Sequence, residues 1–245
     1  MRTRRRLSML LLAALLAAVS VAEGPYQPPH PVPAWPDQFT IELEILIEKY
    51  GPNWNSSGAL YYDWKTKTFR SDYIGWCLPL FGSEKPSLTS DNYSCSFVAT
   101  GGNMFFVNHT ASTWEDNECC LFAEGLGCVA PDWMSNCQYN GTAILQGVEC
   151  DVWWFPGTSD PDKPCYGYWD SNDTAHTPVR FFGLSSLGPT ILNYSQFKVG
   201  PAPPNVSLAL PNRNSCFKEC QPSLLSHTSG ENPPLSPHFP WPSCS

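Results

Sequence analysis

Apolar and polar side chains alternate with a period of two near the start of the mature chain. Between Phe39 and Lys49, apolar residues recur at every second position from Phe39 to Ile47, and Thr40, Glu42, Glu44 and Glu48 alternate with them, with Leu46 as the exception. This period is typical of a β-strand with one dry and one wet face. A helix would spread the same glutamates around its whole circumference. The segment therefore predicts a strand.

Further segments have strand composition and are bounded by turn residues such as Asn55-Ser56-Ser57-Gly58 and Gly101-Gly102-Asn103. They are 59–64, 68–73, 93–99, 104–108, 143–155, 166–170, 179–182 and 190–199. Only 113–126 has room for a short helix, and the Cys119-Cys120 pair at its centre disfavours one. Because the chain offers no helical crossovers between strands, we predict an all-β fold built on one antiparallel sheet.

The two ends of the chain differ in composition from this β-rich middle. Residues 1–22 combine four arginines, an apolar run from Leu7 to Val19 and small residues before Ala22, which predicts a signal peptide cleaved after Ala22. Residues 23–37 and 221–245 each contain six prolines and predict extended segments without regular structure. Between them, 38–220 is predicted to form a single disulfide-braced domain.

Charge and hydropathy restrict the partners. The mature chain has 10 basic and 22 acidic residues, so its formal net charge is −12. Such a surface repels phosphate backbones, which excludes nucleic acid as a partner. No segment after the leader is apolar for long enough to predict a membrane span. We expect a protein secreted to the cell exterior, the cell wall or the lumen of the secretory pathway.

All 11 cysteines lie in the mature chain, where an oxidising compartment favours disulfides. An odd number leaves at least one without an intramolecular partner, and Cys244 in the proline-rich tail is the candidate for a disulfide to another molecule. Cys119 and Cys120 point in opposite directions in an extended chain and should reach different partners. The ten cysteines predicted to form disulfides are Cys77, Cys95, Cys119, Cys120, Cys128, Cys137, Cys150, Cys165, Cys216 and Cys220.

Seven Asn-x-Ser/Thr acceptor sites predict N-linked glycosylation at exposed positions. Six fall in turns or at strand ends, whereas Asn193 falls inside a predicted strand. That strand is an edge, or its outer face is wet at this point, or the site is unused. The seven asparagines are Asn55, Asn92, Asn108, Asn140, Asn172, Asn193 and Asn205.

The chain predicts no catalytic residue, no metal site and no cofactor. It contains neither a Gly-x-Ser-x-Gly nor a His-Glu-x-x-His motif, and His109 and His176 are expected in exposed loops. The cysteines favour disulfides over zinc, and the acidic turn at Asp170 lacks the glycine and glutamate of a calcium loop. Candidate carboxylates for sugar chemistry are Asp63, Asp132, Glu149, Asp151 and Asp170, and the enzyme alternative rests on Asp63, Asp132 or Asp151.

The aromatic content is high, with 10 Trp, 10 Tyr and 13 Phe. Alternation sends about half of them to each face of a sheet, so the sheet either carries large rings on both faces or curls into a concave pocket. A pocket lined by rings accepts a lipid-like small molecule. The candidate lining residues are Tyr62, Trp64, Phe105, Trp153 and Trp154.

Several short strings carry a family resemblance over about residues 35–220. They are Trp35-Pro36-Asp37-Gln38-Phe39, Tyr62-Asp63-Trp64, Pro131-Asp132-Trp133, Tyr139-x-Gly141, Gly147-x-x-Cys150-x-Val152-Trp153, Thr177-Pro178-Val179-Arg180 and Phe197-x-Val199-Gly200. The set resembles a family of secreted plant and algal proteins, some of them described as glycosyl-transferring. It is also similar to ependymins, through Gly102-x-Met104-Phe105 and the closing Cys216 and Cys220. Ependymins resemble bacterial lipoprotein carriers of the LolA type.

The ependymin and LolA resemblance implies a strongly curved antiparallel sheet, a half-open barrel with an apolar groove, and a binding role. It implies no catalytic residue. The leading hypothesis is a secreted glycoprotein that binds an apolar or amphipathic ligand in this groove. Two alternatives stay open: a carbohydrate-active or sugar-binding protein, and a structural cell-surface or cell-wall glycoprotein tethered through Cys244.

Overall fold

The computed structural model describes residues 31–47, 55–74, 94–156, 164–185, 188–211 and 216–220. The predicted signal peptide, most of the proline-rich segment 23–37 and the tail 221–245 lie outside these ranges. So do Cys77, Asn92, Cys244 and the side chains of Asn55 and Cys165.

Eleven β-strands make up the regular structure of the described chain. They are β1 (Gln38–Ile47), β2 (Asn55–Asp63), β3 (Thr68–Ile74), β4 (Ser94–Thr100), β5 (Asn103–Asn108), β6 (Glu118–Ala123), β7 (Gln138–Leu145), β8 (Val148–Pro156), β9 (Pro164–Ser171), β10 (Pro178–Ser185) and β11 (Gly188–Val199).

All eleven strands belong to one antiparallel sheet, in the order β6-β5-β4-β3-β2-β1-β11-β10-β9-β8-β7. Neighbours in sequence are neighbours in the sheet, except that β1 pairs with β11 and the chain passes from one sheet end to the other between β6 and β7. The sheet is therefore two meanders joined at β1 and β11, with β6 and β7 as its outer strands.

The sheet curls around Trp35. Strands β2 and β9 are four spacings apart in the sheet, which is roughly 19 Å when flat, at about 4.8 Å per strand. Yet the Trp35 ring lies 5.3 Å from the ring of Tyr62 on β2, and its Nε1 lies 3.3 Å from the hydroxyl of Tyr168 on β9. The predicted all-β fold with a strongly curved antiparallel sheet is confirmed.

The strand register defines two faces. We call the side that carries Phe39, Tyr62 and Trp153 the concave face, and the opposite side the convex face. Along β1, Phe39, Ile41, Leu43 and Ile45 are buried on the concave face while Glu42 and Glu44 are exposed. The alternation that predicted this strand thus separates the core from solvent.

One predicted element is wrong. The segment 143–155 is not one strand, because Gln146 and Gly147 have φ angles of 52° and 81° and form the two-residue turn between β7 and β8. The segment 113–126, where the sequence disfavoured a helix, contains a turn followed by β6, whose Cys119 and Cys120 side chains reach opposite faces of the sheet.

Adjacent cysteines anchor the C-terminal part of the described chain to β6. Cys119 is bonded to Cys216 and Cys120 to Cys220, so the two neighbours have different partners, as predicted. Cys95 is also disulfide-bonded. Residues 216–220 run beside β6, where Leu121 and Glu219 form a parallel bridge.

Cys128, Cys137 and Cys150, predicted to form disulfides, have free thiols in the structure. Burial raises the pKa of Cys128 and of Cys137 to about 12, and it also raises the pKa of Cys150. Disulfide exchange requires the thiolate, which burial disfavours in all three.

Candidate functional site

Aromatic side chains line the concave face across both meanders. Trp153, Tyr62, Tyr168, Phe39, Phe69 and Phe97 are all less than 2% exposed. Phe39 is stacked on Tyr62 with centroids 4.9 Å apart, and the Phe97 ring lies 5.4 Å from that of Phe106 on β5. Close ring pairs of this kind add packing energy beyond burial. The concave face is thus an aromatic surface that extends from β5 to β8.

Irregular chain covers this surface. We call residues 32–37 and 124–137 the cover; the second of these connects β6 to β7. Trp133 of the cover stacks on Phe155 with an interplanar angle of 5° and meets Tyr168 and Trp35 edge to face. A turn-rich segment therefore occupies the place where a helix or a second sheet would close a two-layer domain.

Hydrogen bonds position the cover. The Trp35 backbone N–H donates to the carbonyl of Pro131 at 2.9 Å and joins the two parts of the cover. The Tyr62 hydroxyl donates to the carbonyl of Val129 at 2.7 Å and links the cover to β2. Burial raises the pKa of Tyr62, so this phenol stays protonated and retains its donor.

A polar cluster interrupts the aromatic surface on β8 and β9. Asp151 and Asp170 face each other across these strands and both are fully buried. The Asp170 carboxylate accepts from Trp153 Nε1 at 2.6 Å and lies 2.6 Å from His176 Nδ1. The Tyr139 hydroxyl donates to Asp151 at 3.3 Å. We call Tyr139, Asp151, Trp153, Asp170 and His176 the polar cluster.

Burial raises the pKa of Asp170 to about 6, against an ordinary value of 3.8. Its hydrogen bonds with His176 and Trp153 oppose this shift, and the charge of Asp151 adds to it. Since desolvation disfavours the carboxylate, Asp170 takes up a proton close to neutral pH. The cluster therefore changes charge in a mildly acidic medium.

The five predicted ligand residues do not share one surface. Tyr62 and Trp153 lie on the concave face, and Trp64 packs against the same core while the Lys67 ammonium sits 3.6 Å above its ring. Phe105 and Trp154 lie on the convex face. Phe105 packs there with Val98 and Val107 and lines a recess of about 430 Å³.

His176 and His109 are not the exposed loop residues that the sequence predicted. Both are half-buried and hydrogen-bonded. His176 has a φ angle of 46°, and this left-handed conformation directs its ring to Asp170. No pattern in the sequence predicted that conformation. His109 follows β5 and contacts Ser96 on β4, a neighbour revealed only by strand pairing.

The contact between His109 and Ser96 resembles that of a nucleophile with its general base, but here the histidine is the hydrogen-bond donor and the serine is the acceptor. The Ser96 hydroxyl has one proton and donates it in a hydrogen bond to Asp72. The bond between Ser96 Oγ and His109 Nε2, at 2.7 Å, therefore needs a proton on His109 Nε2, which donates to Ser96 Oγ. His109 Nδ1 then accepts from Ser94 at 3.1 Å. A histidine that donates to serine cannot act as its general base.

Arg70 completes this convex network and attaches the strap, which we define as residues 201–211 and 216–220. Its guanidinium pairs with both oxygens of Asp72, at 2.6 and 2.9 Å, and donates to the carbonyl of Ser207 at 2.8 Å. The same guanidinium lies 3.6 Å above the Trp114 ring. These contacts describe a structural network between the sheet and the strap.

Of the five carboxylates considered for sugar chemistry, Asp151 and Asp170 face each other in the polar cluster, Glu149 is exposed on β8, and Asp63 and Asp132 lie elsewhere. Asp63 accepts from the backbone N–H of Lys65 at 2.9 Å and caps the β2–β3 turn. Asp132 is exposed in the cover, whereas Asp151 is fully buried in the polar cluster. Among the described residues, no group of His, Cys, Asp and Glu has the arrangement of a metal site.

No helix in the described part of the chain is long and apolar enough to span a membrane.

The convex face has a depression of about 690 Å³ over β1 to β3, and its lining includes Glu42, Glu44 and Asp72. Carboxylates in these positions repel an anionic ligand.

No protein-family model and no curated protein matches this chain. Among solved structures, it is similar to an uncharacterised conserved protein from Thermus thermophilus, with 11% identity and a TM-score of 0.45, covering 75% of this chain and 90% of that one. It is also similar to the Mycobacterium tuberculosis lipoprotein LppX, with 12% identity and a TM-score of 0.31, covering 66% and 89%.

A third similarity is to MucB in its complex with MucA(peri), with 13% identity and a TM-score of 0.34, covering 68% of this chain and 51% of that one. Similarity of this degree transfers no function. The resemblance to secreted plant and algal proteins and to ependymins finds no support in these comparisons and stays a prediction.

Proposed function

We propose that the protein binds an apolar or amphipathic molecule against the concave face, in the place of part of the cover. One observation carries the proposal: an aromatic surface built by the sheet is closed by irregular chain. Trp35 and Trp133 occupy that surface through ring contacts. A ligand with an apolar chain makes contacts of the same kind, so it competes with these two rings.

The free energy of covering the concave face with Trp35 and Trp133 is comparable to that of binding a ligand with an alkyl chain there. Each indole buries roughly 200 Å², which at about 25 cal/mol per Å² corresponds to about 5 kcal/mol. Displacing both rings thus costs about 10 kcal/mol, before any new contacts form. A hydrocarbon chain supplies about 0.8 kcal/mol per buried methylene. Roughly 12 methylenes offset the cost, which favours ligands with long alkyl chains.

The polar cluster favours an amphipathic ligand over a purely apolar one. Its hydroxyl, carboxylates and imidazole lie at the β8–β9 end of an otherwise aromatic surface. A polar headgroup needs hydrogen-bonding partners once it leaves water. Tyr139 and His176, the two half-buried members, are the accessible partners for it.

The burial of the rings supports this function over the carbohydrate alternative. Sugar-binding aromatics lie flat on an open face beside carboxylates, whereas Tyr62 and Trp153 are 1% and 0% exposed and contact other rings. The tether alternative depends on Cys244, which lies outside the described residues. Secretion and glycosylation, predicted from the leader and acceptor sites, belong to the same proposal.

Intrinsic tryptophan fluorescence tests the proposal. The mature protein is titrated with a C16 fatty acid, a C16 lysophospholipid and a cello-oligosaccharide. We expect saturable spectral changes with both lipids and none with the sugar. In Trp133→Phe the change should be smaller, because one reporter leaves the site. In Trp114→Phe it should be retained, because Trp114 lies against Arg70 on the convex face. A saturable response to sugar alone would overturn the proposal.

A further inference from the structure

The two outer strands of the sheet are protected in different ways. Along β6, the strap supplies backbone partners: Leu121 donates to the carbonyl of Lys218 at 2.8 Å, and Cys220 donates to the carbonyl of Leu121 at 2.9 Å. The two disulfides fix this segment in place. At the other end of the sheet, no described segment forms a ladder with the outer side of β7.

The exposed edge of β7 has the features of a surface that pairs with a second copy. Exposed and half-buried residues alternate along its whole length. Ile144 is 77% exposed, the highest value among the large hydrophobic residues of the described chain. A strand whose outer edge has no ladder partner and that carries an exposed β-branched residue is a template for edge-to-edge association unless something blocks it.

The acceptor site Asn140-Gly141-Thr142 lies within this strand. Asn140 is exposed, and the pairing register shifts between Tyr139 and Thr142, where Gly141 has a φ angle of 90°. Tyr139 is turned inward, with its ring against Trp153 and its hydroxyl on Asp151. The bulge therefore presents Asn140 to solvent on the free edge of the sheet. The sequence had placed this asparagine in a turn.

Asn193 gives the opposite arrangement. It lies on β11, between β1 and β10, and is 8% exposed. Its side-chain oxygen accepts from Arg180 Nε at 2.8 Å, and its nitrogen donates to Glu44 at 3.4 Å. The folded sheet has no room for an oligosaccharide there. Of the alternatives for this site, an unused site fits the structure.

We propose that Asn140 carries an N-linked glycan and that this glycan prevents β7 from pairing with β7 of a second copy. The modification assumes passage through a glycosylating secretory pathway, as the leader predicts. The Asn140 amide nitrogen bonds to the anomeric carbon of an oligosaccharide on a polyprenyl pyrophosphate. The anomeric carbon–oxygen bond breaks, and the lipid pyrophosphate leaves with the amide proton.

The physical effect of the glycan is steric. A pairing strand must approach to about 4.8 Å along the whole edge. A branched oligosaccharide attached in the middle of β7 occupies that space and brings bound water with it. Capping thus achieves on β7 what the strap and its disulfides achieve on β6.

The test uses the full chain secreted from a eukaryotic host. Glycopeptide mass spectrometry measures occupancy at Asn140, Asn193 and Asn205, and light scattering after size exclusion measures mass. We expect Asn140 to be occupied, Asn193 to be unmodified and the wild type to be a monomer. Asn140→Gln and Thr142→Ala should each lose one glycan and shift to twice the protein mass or more at about 100 μM, the upper part of the micromolar range in which exposed edges associate.

Two controls separate edge capping from general effects of glycan loss. Asn205→Gln removes an exposed acceptor from the strap and should remain monomeric. Ile144→Lys added to Asn140→Gln should restore the monomer, because a lysine blocks strand pairing. An unoccupied Asn140 in the wild type would refute the modification. Monomeric Asn140→Gln and Thr142→Ala proteins, with the wild type occupied, would refute the capping role.

Discussion

Trp35 donates a hydrogen bond from Nε1 to the hydroxyl of Tyr168 at 3.3 Å, across a separation of 133 residues. The bond connects the segment before β1 to β9, three strands away in the sheet. Both side chains are buried, and burial raises the pKa of Tyr168 well above its ordinary value. The cover is thus attached to the far meander by a specific polar contact within an aromatic environment.

A double-mutant cycle measures this contact. Trp35→Phe and Tyr168→Phe each remove one partner of the hydrogen bond, and the double variant removes both. We expect a coupling free energy of about 0.5–1.5 kcal/mol in urea unfolding, the usual net contribution of a hydrogen bond. A coupling indistinguishable from zero would show that this hydrogen bond does not help to hold the cover.

The stability should depend on pH through Asp170. Burial raises the pKa of this carboxyl from 3.8 to about 6, so the folded state favours its protonated form. The stability gained from protonated Asp170 is full below about pH 4 and is lost as the pH rises through about 6. Two pKa units correspond to about 3 kcal/mol. Asp170→Asn mimics the neutral acid and lacks this loss.

We therefore expect the free energy of unfolding of Asp170→Asn, relative to the wild type, to rise by about 3 kcal/mol between pH 4 and pH 7. Urea unfolding at both pH values measures the difference. Comparing the two proteins at each pH cancels the titration of other groups. A difference between the proteins that stays constant with pH would contradict the raised pKa.

The two disulfides should be strongly non-additive. They span 97 and 100 residues, but with one intact the other closes only a small ring of about five residues. The chain-entropy relation gives about 2 kcal/mol for such a ring and about 4.7 kcal/mol for a loop of 100 residues. Removing the first disulfide, whichever it is, should therefore lower the free energy of unfolding by much less than removing the second.

Paired serine variants test this expectation: Cys119→Ser with Cys216→Ser, Cys120→Ser with Cys220→Ser, and all four together. Unfolding under non-reducing conditions gives the three free energies. The fourfold variant should lose more stability than the sum of the two paired variants. A loss equal to that sum would mean that the two bonds act independently.

Close approach of β2 and β3 requires glycine at position 58. A Cβ built there would lie 1.9 Å from the backbone oxygen of Asp72, which cannot move away as a side chain would. Gly58→Ala should lower the free energy of unfolding by about 2–3 kcal/mol, the upper part of the range for overpacking. Ala59→Ser, at the next position, should change it by less than about 0.5 kcal/mol. Similar values for both would refute the steric requirement.

Much of the fold followed from short-range patterns. Alternation between Phe39 and Ile47 predicted β1 and its buried face, because a period of two allows only one face to be dry. The Gln146-Gly147 turn was missed because strand-forming residues continue on both sides of it, so 143–155 was interpreted as one strand. The turn conformation of these two residues, not their composition, divides the segment into β7 and β8.

The candidate site was harder to predict because it depends on pairing. Alternation places Tyr62 and Phe105 on some face, but only the pairing register from β2 through β5 shows that these faces are opposite. The contribution of Trp133 was not predicted, since it lies in irregular chain with no periodic signal. The polar cluster likewise requires Asp151 and Asp170 to meet across β8 and β9.

Calorimetric titration with saturated fatty acids of 8 to 18 carbons tests the central claim most directly. If the chain binds against the concave face, affinity should increase about fourfold per added methylene, because each contributes about 0.8 kcal/mol. Binding should also show a negative heat-capacity change, the mark of apolar burial. Affinities that are independent of chain length, or no measurable binding at 18 carbons, would contradict it.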